Sequence, residues 1–169
     1  MSSQAIYLRA LEPSDIDILY KYENDKEVWK VSGTTIPYSR YVLKKYIENS
    51  FTDIYQSGQL RLMIMCEDRA IGATDIFDFD AHNSRAGIGI IIFDKTNRGK
   101  GYATEALNQL IEYCFETLTV HQIYCNIDAE NAESMKLFKK QGFTMIGIKK
   151  EWIKSGGKFN DEIMFQKLK

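Results

Sequence analysis

The chain has 169 residues, 44 % of them apolar and 27 % charged, and a formal net charge of −1. That is the make-up of a globular domain with a sizeable core, and the near-neutral balance argues against a polyanion-binding surface spread over the whole molecule. No apolar run nears the roughly 18 residues of a membrane span and the first residues show no signal-peptide pattern, so neither nucleic acid nor membrane is an expected partner and the expected location is the cytoplasm.

Two prolines, no repeat and no low-complexity stretch predict a single domain over residues 1–169. Residues 5–11, "AIYLRAL", alternate as a strand. Pro13 then suits a first helical turn, with Ile16, Leu19 and Tyr20 on one face. Ser39 opens a second helix, predicted to run to about residue 56, with Val42, Leu43, Tyr46 and Ile47 at helical spacing. "LRLMIMC" (60–66), "AIGATDIFDFD" (70–80) and "RAGIGIIIF" (85–93) read as a meander of antiparallel strands joined by "EDR" and "AHNS". A helix over about 99–117 follows, its inner face marked by Ala103, Ala106, Leu107, Leu110 and Cys114. Then come a strand (120–129), a helix (131–141) stopped by Gly142, and two strands (143–153 and 159–168) joined by "KSGGK". This order predicts an α/β domain, with a mainly antiparallel central sheet carrying helices on both faces.

Cys66, Cys114 and Cys125 lack CxxC spacing and read as reduced thiols, at least two of them buried. His82 and His121 are the only histidines and have no ligand spacing around them, so no metal is expected.

The stretch carrying most chemistry is "NRGKGYATEAL" (97–107), which packs charge and glycine into the start of a helix. The first N–H groups of a helix lack intrahelical acceptors and sit at the positive end of its dipole. Gly99 and Gly101 let an anion approach the backbone, and Arg98 and Lys100 add positive charge. The Walker spacing is absent, and the dinucleotide pattern GxGxxG fails at its third glycine, where Thr104 stands. The stretch by itself describes an anion site without naming the anion.

Read with "LRALEPSDID", the "DIFDFDAHNSRAGIGIII" hairpin, "HQIYCNIDAEN", "NAESMKLFKKQGF" and "GGKFNDEIMF", it resembles the GNAT family of N-acetyltransferases, in the branch of the ribosomal-protein and bacterial spermidine acetyltransferases. The resemblance covers nearly the whole chain. It implies the GNAT fold and acetyl-CoA as cosubstrate. It places the pyrophosphate on Arg98, Gly99, Lys100, Gly101, Tyr102 and Ala103, and the pantetheine arm on the backbone of Ile91, Ile92 and Phe93 and on Asn131. Phe138 stands beside the cofactor where many relatives carry a proton-donating tyrosine. Phenylalanine has no proton to give, and Ser134, one helical turn earlier, is the remaining candidate to deliver one through water or to hydrogen-bond the thiolate.

Acetyl transfer from a thioester to an amine poses two proton problems. A lysine-like amine titrates near 10.4, roughly three units above neutrality, and a thiol near 8.5, so deprotonating the amine costs about 4 kcal/mol against about 2 for the leaving group. A base matters more than an acid. Asp75, an aspartate inside a strand, is the candidate that would handle the amine, and alternation puts Asp78 and Asp80 on the opposite face. The segment "KVSGTTIPYSRYVLKKY" is basic and neutral where spermidine enzymes rely on acidic residues, leaving Glu23 and Glu27 as further acidic candidates. The acceptor is then either a small polyamine-like amine or a protein N-terminus, whose α-amine titrates near 7.7–8.0 and needs less help. An acyl-CoA-binding module without turnover is the alternative, and either a monomer or a homodimer fits.

Overall fold

In the computed structural model, which describes residues 5–169, one seven-stranded sheet in the order β1-β2-β3-β4-β5-β7-β6 organises the chain. The strands are β1 (Ile6–Ala10), β2 (Leu60–Cys66), β3 (Arg69–Asp80), β4 (Arg85–Ile92), β5 (Gln122–Asp128), β6 (Thr144–Ser155) and β7 (Lys158–Leu168). Every neighbouring pair is antiparallel except β4 and β5.

The helices cover both faces because the strands alternate. Met63, Met65, Ala73 and Phe93 point to one face and bury Leu19 of α1 (Ile16–Glu23) and Leu43 and Ile47 of α3 (Arg40–Glu48). Ile76, Ile88 and Ile123 point to the other. There they meet Leu107, Leu110 and Ile111 of α5 (Tyr102–Glu112) and Phe138 of α6 (Ala132–Lys140). Between α1 and α3 lies a helix that the periodicity missed, α2 (Lys26–Ser32), capped by Asp25 and closed by Gly33.

The helix expected to run from Ser39 to about residue 56 is broken. It stops at Glu48, and the turn α4 (Ile54–Ser57) starts afresh. Local side chains compete with the helix here: Ser50 Oγ donates to the Ile47 carbonyl at 2.7 Å, and Asp53 accepts from the Tyr55 N–H at 2.7 Å. The helix expected from residue 99 begins at Tyr102, and its last turn widens into a π turn over Tyr113–Thr117.

Alternation also fails in β3. Its pairing with β4 slips by one residue between Phe77 and Asp80, and Asp78 takes a positive φ of 47°. Asp80 therefore pairs with Arg85 and returns to the face of Asp75, which pairs with Gly89. Asp78 accepts from the Tyr124 hydroxyl at 3.2 Å. Placing both aspartates on the opposite face is corrected by this bulge.

Cys66, Cys114 and Cys125 are all buried. Among the described residues, no helix is long and apolar enough to cross a membrane.

Candidate active site

The site begins with a gap in the sheet. β4 and β5 pair in parallel only over Arg85–Gly87 and Gln122–Tyr124, after which β5 pairs with β7 alone. Phe93 donates its N–H to the Ile71 carbonyl at 2.9 Å. Given the steady register with β3, the backbone groups of Ile91 and Phe93 face β3, while those of Ile88, Ile90 and Ile92 face the gap. Of the three residues expected to offer backbone to a pantetheine arm, only Ile92 is turned that way. Ile90, not singled out in the sequence, is turned there too. Phe93 instead stacks on Tyr22, with ring centroids 4.4 Å apart, and buries its side chain.

Because β4 and β5 run parallel, the loops leaving their ends lie at the same end of the sheet. The loop after β4 is tightly built. Asp94 accepts from the Thr96 N–H and hydroxyl, both at 2.8 Å, and Arg98 donates to the Ile92 carbonyl at 3.2 Å. Gly99 and Gly101 have φ of +73° and +86°, and an added Cβ at either would meet no protein atom within 4 Å. Backbone conformation requires these glycines, not crowding by the protein. Gly101 is the residue before α5 and offers no side-chain cap, so the positive end of the helix is open to an external anion. Lys100 lies 6.0 Å from the Tyr102 ring centre, and Ala103 is in the first turn.

After β5, Asn131 caps α6 by accepting the Ser134 N–H at 3.1 Å. This fixes the amide and leaves Ser134 half-buried in the first turn. Phe138 lies a turn further along, 2 % exposed, with its ring edge-on to Phe143 at 5.1 Å. Expected beside the cofactor, its ring is packed in the core.

A second cavity, of about 360 Å³, opens on the α1–α3 face of the sheet. Its charged lining is Glu23, Arg61 and Asp75. Arg61 and Asp75 are directly opposed on β2 and β3 and form a two-pronged ion pair, Nε to Oδ1 at 2.6 Å and Nη2 to Oδ2 at 2.9 Å. The remaining guanidinium nitrogen, Nη1, binds Glu23. Burial opposes the Arg61 charge, but Asp75 and Glu23 outweigh it and hold the guanidinium above the ordinary arginine range. Tyr46, on α3 above this cluster, is pushed above its usual 10, first by burial and then by the two carboxylates, against the pull of Arg61. Glu27 does not line the cavity. It pairs with Lys30 at 2.5 Å and Lys95 at 3.6 Å.

Arg61 is the charged cavity residue that sequence reasoning missed. Its signal was a lone arginine inside the apolar run "LRLMIMC".

The chain is similar to known acetyltransferases over most of its length. The acetyltransferase (GNAT) domain model matches residues 5–144. The uncharacterized N-acetyltransferase p20 of Bacillus licheniformis is 30 % identical over 170 residues, covering 99 % of this chain and 94 % of its own. The spermidine N(1)-acetyltransferase of Escherichia coli K12 is 25 % identical, covering 86 % and 76 %. A Vibrio cholerae spermidine N-acetyltransferase solved with CoA and spermine shares the fold, with a TM-score of 0.89 at 23 % identity, over 98 % of this chain and 96 % of that one.

Proposed function

Since the chain belongs to the GNAT family and is an acetyl-CoA-dependent N-acetyltransferase, we propose that it moves the acetyl group directly to a primary amine seated in the Glu23–Arg61–Asp75 cavity. The observation that carries this reading is the parting of β4 from β5 beyond Gly87. It leaves an edge on which an extended pantetheine arm can pair as a strand would, and that edge leads to the open start of α5.

The roles then divide by place. Arg98 to Ala103 hold the pyrophosphate, the backbone of Ile90 and Ile92 guides the arm, and Asn131 closes the other side of the gap. The amine nitrogen bonds the thioester carbonyl carbon and the C–S bond breaks. Arriving as an ammonium, the nitrogen first releases one proton to water; it gives up a second on attack, and the departing CoA thiolate takes one. Asp75 holds the amine before attack. Ser134 stands in for the acid that Phe138 cannot be, which the modest basicity of a thiolate tolerates. The whole reaction is assigned to one domain, acting in the cytoplasm as a monomer or homodimer and without a metal.

Release of free CoA thiol from acetyl-CoA, followed against a panel of amines, tests the proposal. Amine-dependent release with a matching acetylated product supports it. Binding of acetyl-CoA without turnover of any amine overturns it.

A further inference from the structure

We infer that the acceptor is an amine bearing one positive charge on an apolar or aromatic body, and not a polyamine. This deepens the proposed function and rests on it. Glu23 and Asp75 carry two negative charges into the cavity and Arg61 returns one positive, so the lining sums to −1. Side-chain exposures of 14 % for Glu23 and 20 % for Arg61, against 32 % for Asp75, make Asp75 the open member of the cluster. Each carboxylate oxygen has about two acceptor sites, so Asp75 keeps room for an ammonium after pairing with Arg61. One bound ammonium balances two carboxylates with two cations.

A second or third ammonium finds no such partner. The side chains of Val42, Leu43 and Phe77 form apolar walls, and Tyr38, Tyr46 and Gln59 add only neutral polar groups. Phe77 is held in place because its ring lies over Gly87, where a Cβ would come within 2.2 Å of it. Among the residues lining the cavity, α3 contributes Val42, Leu43 and Tyr46 and no carboxylate. Spermidine brings about three charges at neutral pH, because its amines titrate near the lysine value. Two of them would be desolvated against apolar and neutral walls without a carboxylate partner. An amine on an aromatic or aliphatic body instead fills the cavity with like surface. Such an amine can be a free small molecule or an N-terminal residue with an apolar side chain.

The test compares kcat/KM for 2-phenylethylamine, for a short peptide with a free N-terminal phenylalanine, and for spermidine, with acetyl-CoA binding measured by calorimetry alongside. At least one single-charge amine is expected to exceed spermidine tenfold or more, and whichever arm wins identifies the source. Spermidine equal or better overturns the inference while leaving the acetyltransferase reading intact. Acetyl-CoA binding with no turnover of any arm overturns both, as does failure to bind acetyl-CoA. A gain-of-charge variant checks the cause: Val42→Asp, at the cavity wall, is expected to raise kcat/KM for spermidine relative to 2-phenylethylamine, and an unchanged ratio rejects the charge argument.

Discussion

Arg61 and Asp75 face each other across β2 and β3, joined by two hydrogen bonds of 2.6 and 2.9 Å. The same guanidinium reaches Glu23 on α1, so one arginine ties a helix to the sheet and gathers both cavity carboxylates. A carboxylate with both oxygens engaged by a guanidinium is set up to hold a cation more than to strip a proton. That orders the expectations for substitution.

Asp75→Asn is expected to lower kcat/KM for the true amine at least tenfold, about 1.4 kcal/mol of transition-state stabilisation. Because the role assigned is holding the ammonium, the loss should fall mainly in KM. The pH midpoint of kcat/KM should stay where the wild type has it. A loss that falls in kcat with KM unchanged would make Asp75 the base instead.

The loop after β4 gives a separable prediction. Arg98→Ala should weaken acetyl-CoA binding by roughly tenfold, as expected for one charge-assisted contact, and calorimetry reads this directly. Gly101→Ala should lower stability by about 1 kcal/mol because alanine is strained at a φ of +86°. The methyl group added by that substitution meets no protein atom within 4 Å, so any larger loss of acetyl-CoA affinity would report a ligand approaching that backbone.

The Arg61–Asp75 pair also shows where the sequence stops being readable. The two-residue turn at Glu67–Asp68 pairs Cys66 with Arg69 and Met65 with Ala70. Counting on from there sets Arg61 opposite Thr74. A bulge between Ile64 and Met65 shifts the ladder by one and delivers Asp75 instead. The second bulge, at Asp78, misled the alternation in the same way. Strands, the main helices and the glycine loop were legible because periodicity and helix-start chemistry are local. The partner of a strand residue is not local once a bulge intervenes, and neither is the parting of β4 from β5.

Burial keeps Cys114 and Cys125 protonated. It pushes both thiols up to about 12, so neither has appreciable thiolate at neutral pH. Iodoacetamide should leave both unmodified in the native protein at pH 8 and label both in denaturant, as read by mass spectrometry. Native labelling would place them at a surface they do not occupy here.

Asp15 links acid stability to the first helix. It is buried, with a side chain 5 % exposed, and accepts two hydrogen bonds from Arg9, both at 2.7 Å, plus the Glu12 N–H at 2.8 Å. Burial raises its pKa, but these donors outweigh it and hold the carboxyl below its usual 3.8. A lowered folded pKa contributes stability that is complete above the unfolded value and lost as pH falls through the folded one. Asp15→Asn should therefore cost about 2 kcal/mol at pH 7, roughly 4–8 °C in Tm. The gap from wild type should narrow below about pH 4. A constant gap down to pH 2 would deny the linkage.

Phe138→Tyr tests whether the missing acid matters, and the packing decides what to expect. At 2 % exposure, with its ring edge-on to Phe143, position 138 has core on all sides. A hydroxyl added there loses water and must find a partner or cost about 1–3 kcal/mol. If the tyrosine stays in the core, Tm falls and kcat does not rise, because the proton never reaches the thiolate. If the new hydroxyl draws the ring toward the gap between β4 and β5, kcat rises and gains a dependence on the phenol's ionisation near pH 10. The deep burial of the parent ring favours the first outcome. A rise in kcat with unchanged stability would show that α6 shifts when acetyl-CoA binds, and that the chain lacks only the proton donor. Ser134→Ala separates the contributions: a further fall in kcat in the Phe138 background, with no fall in the tyrosine variant, would assign the proton to the serine route.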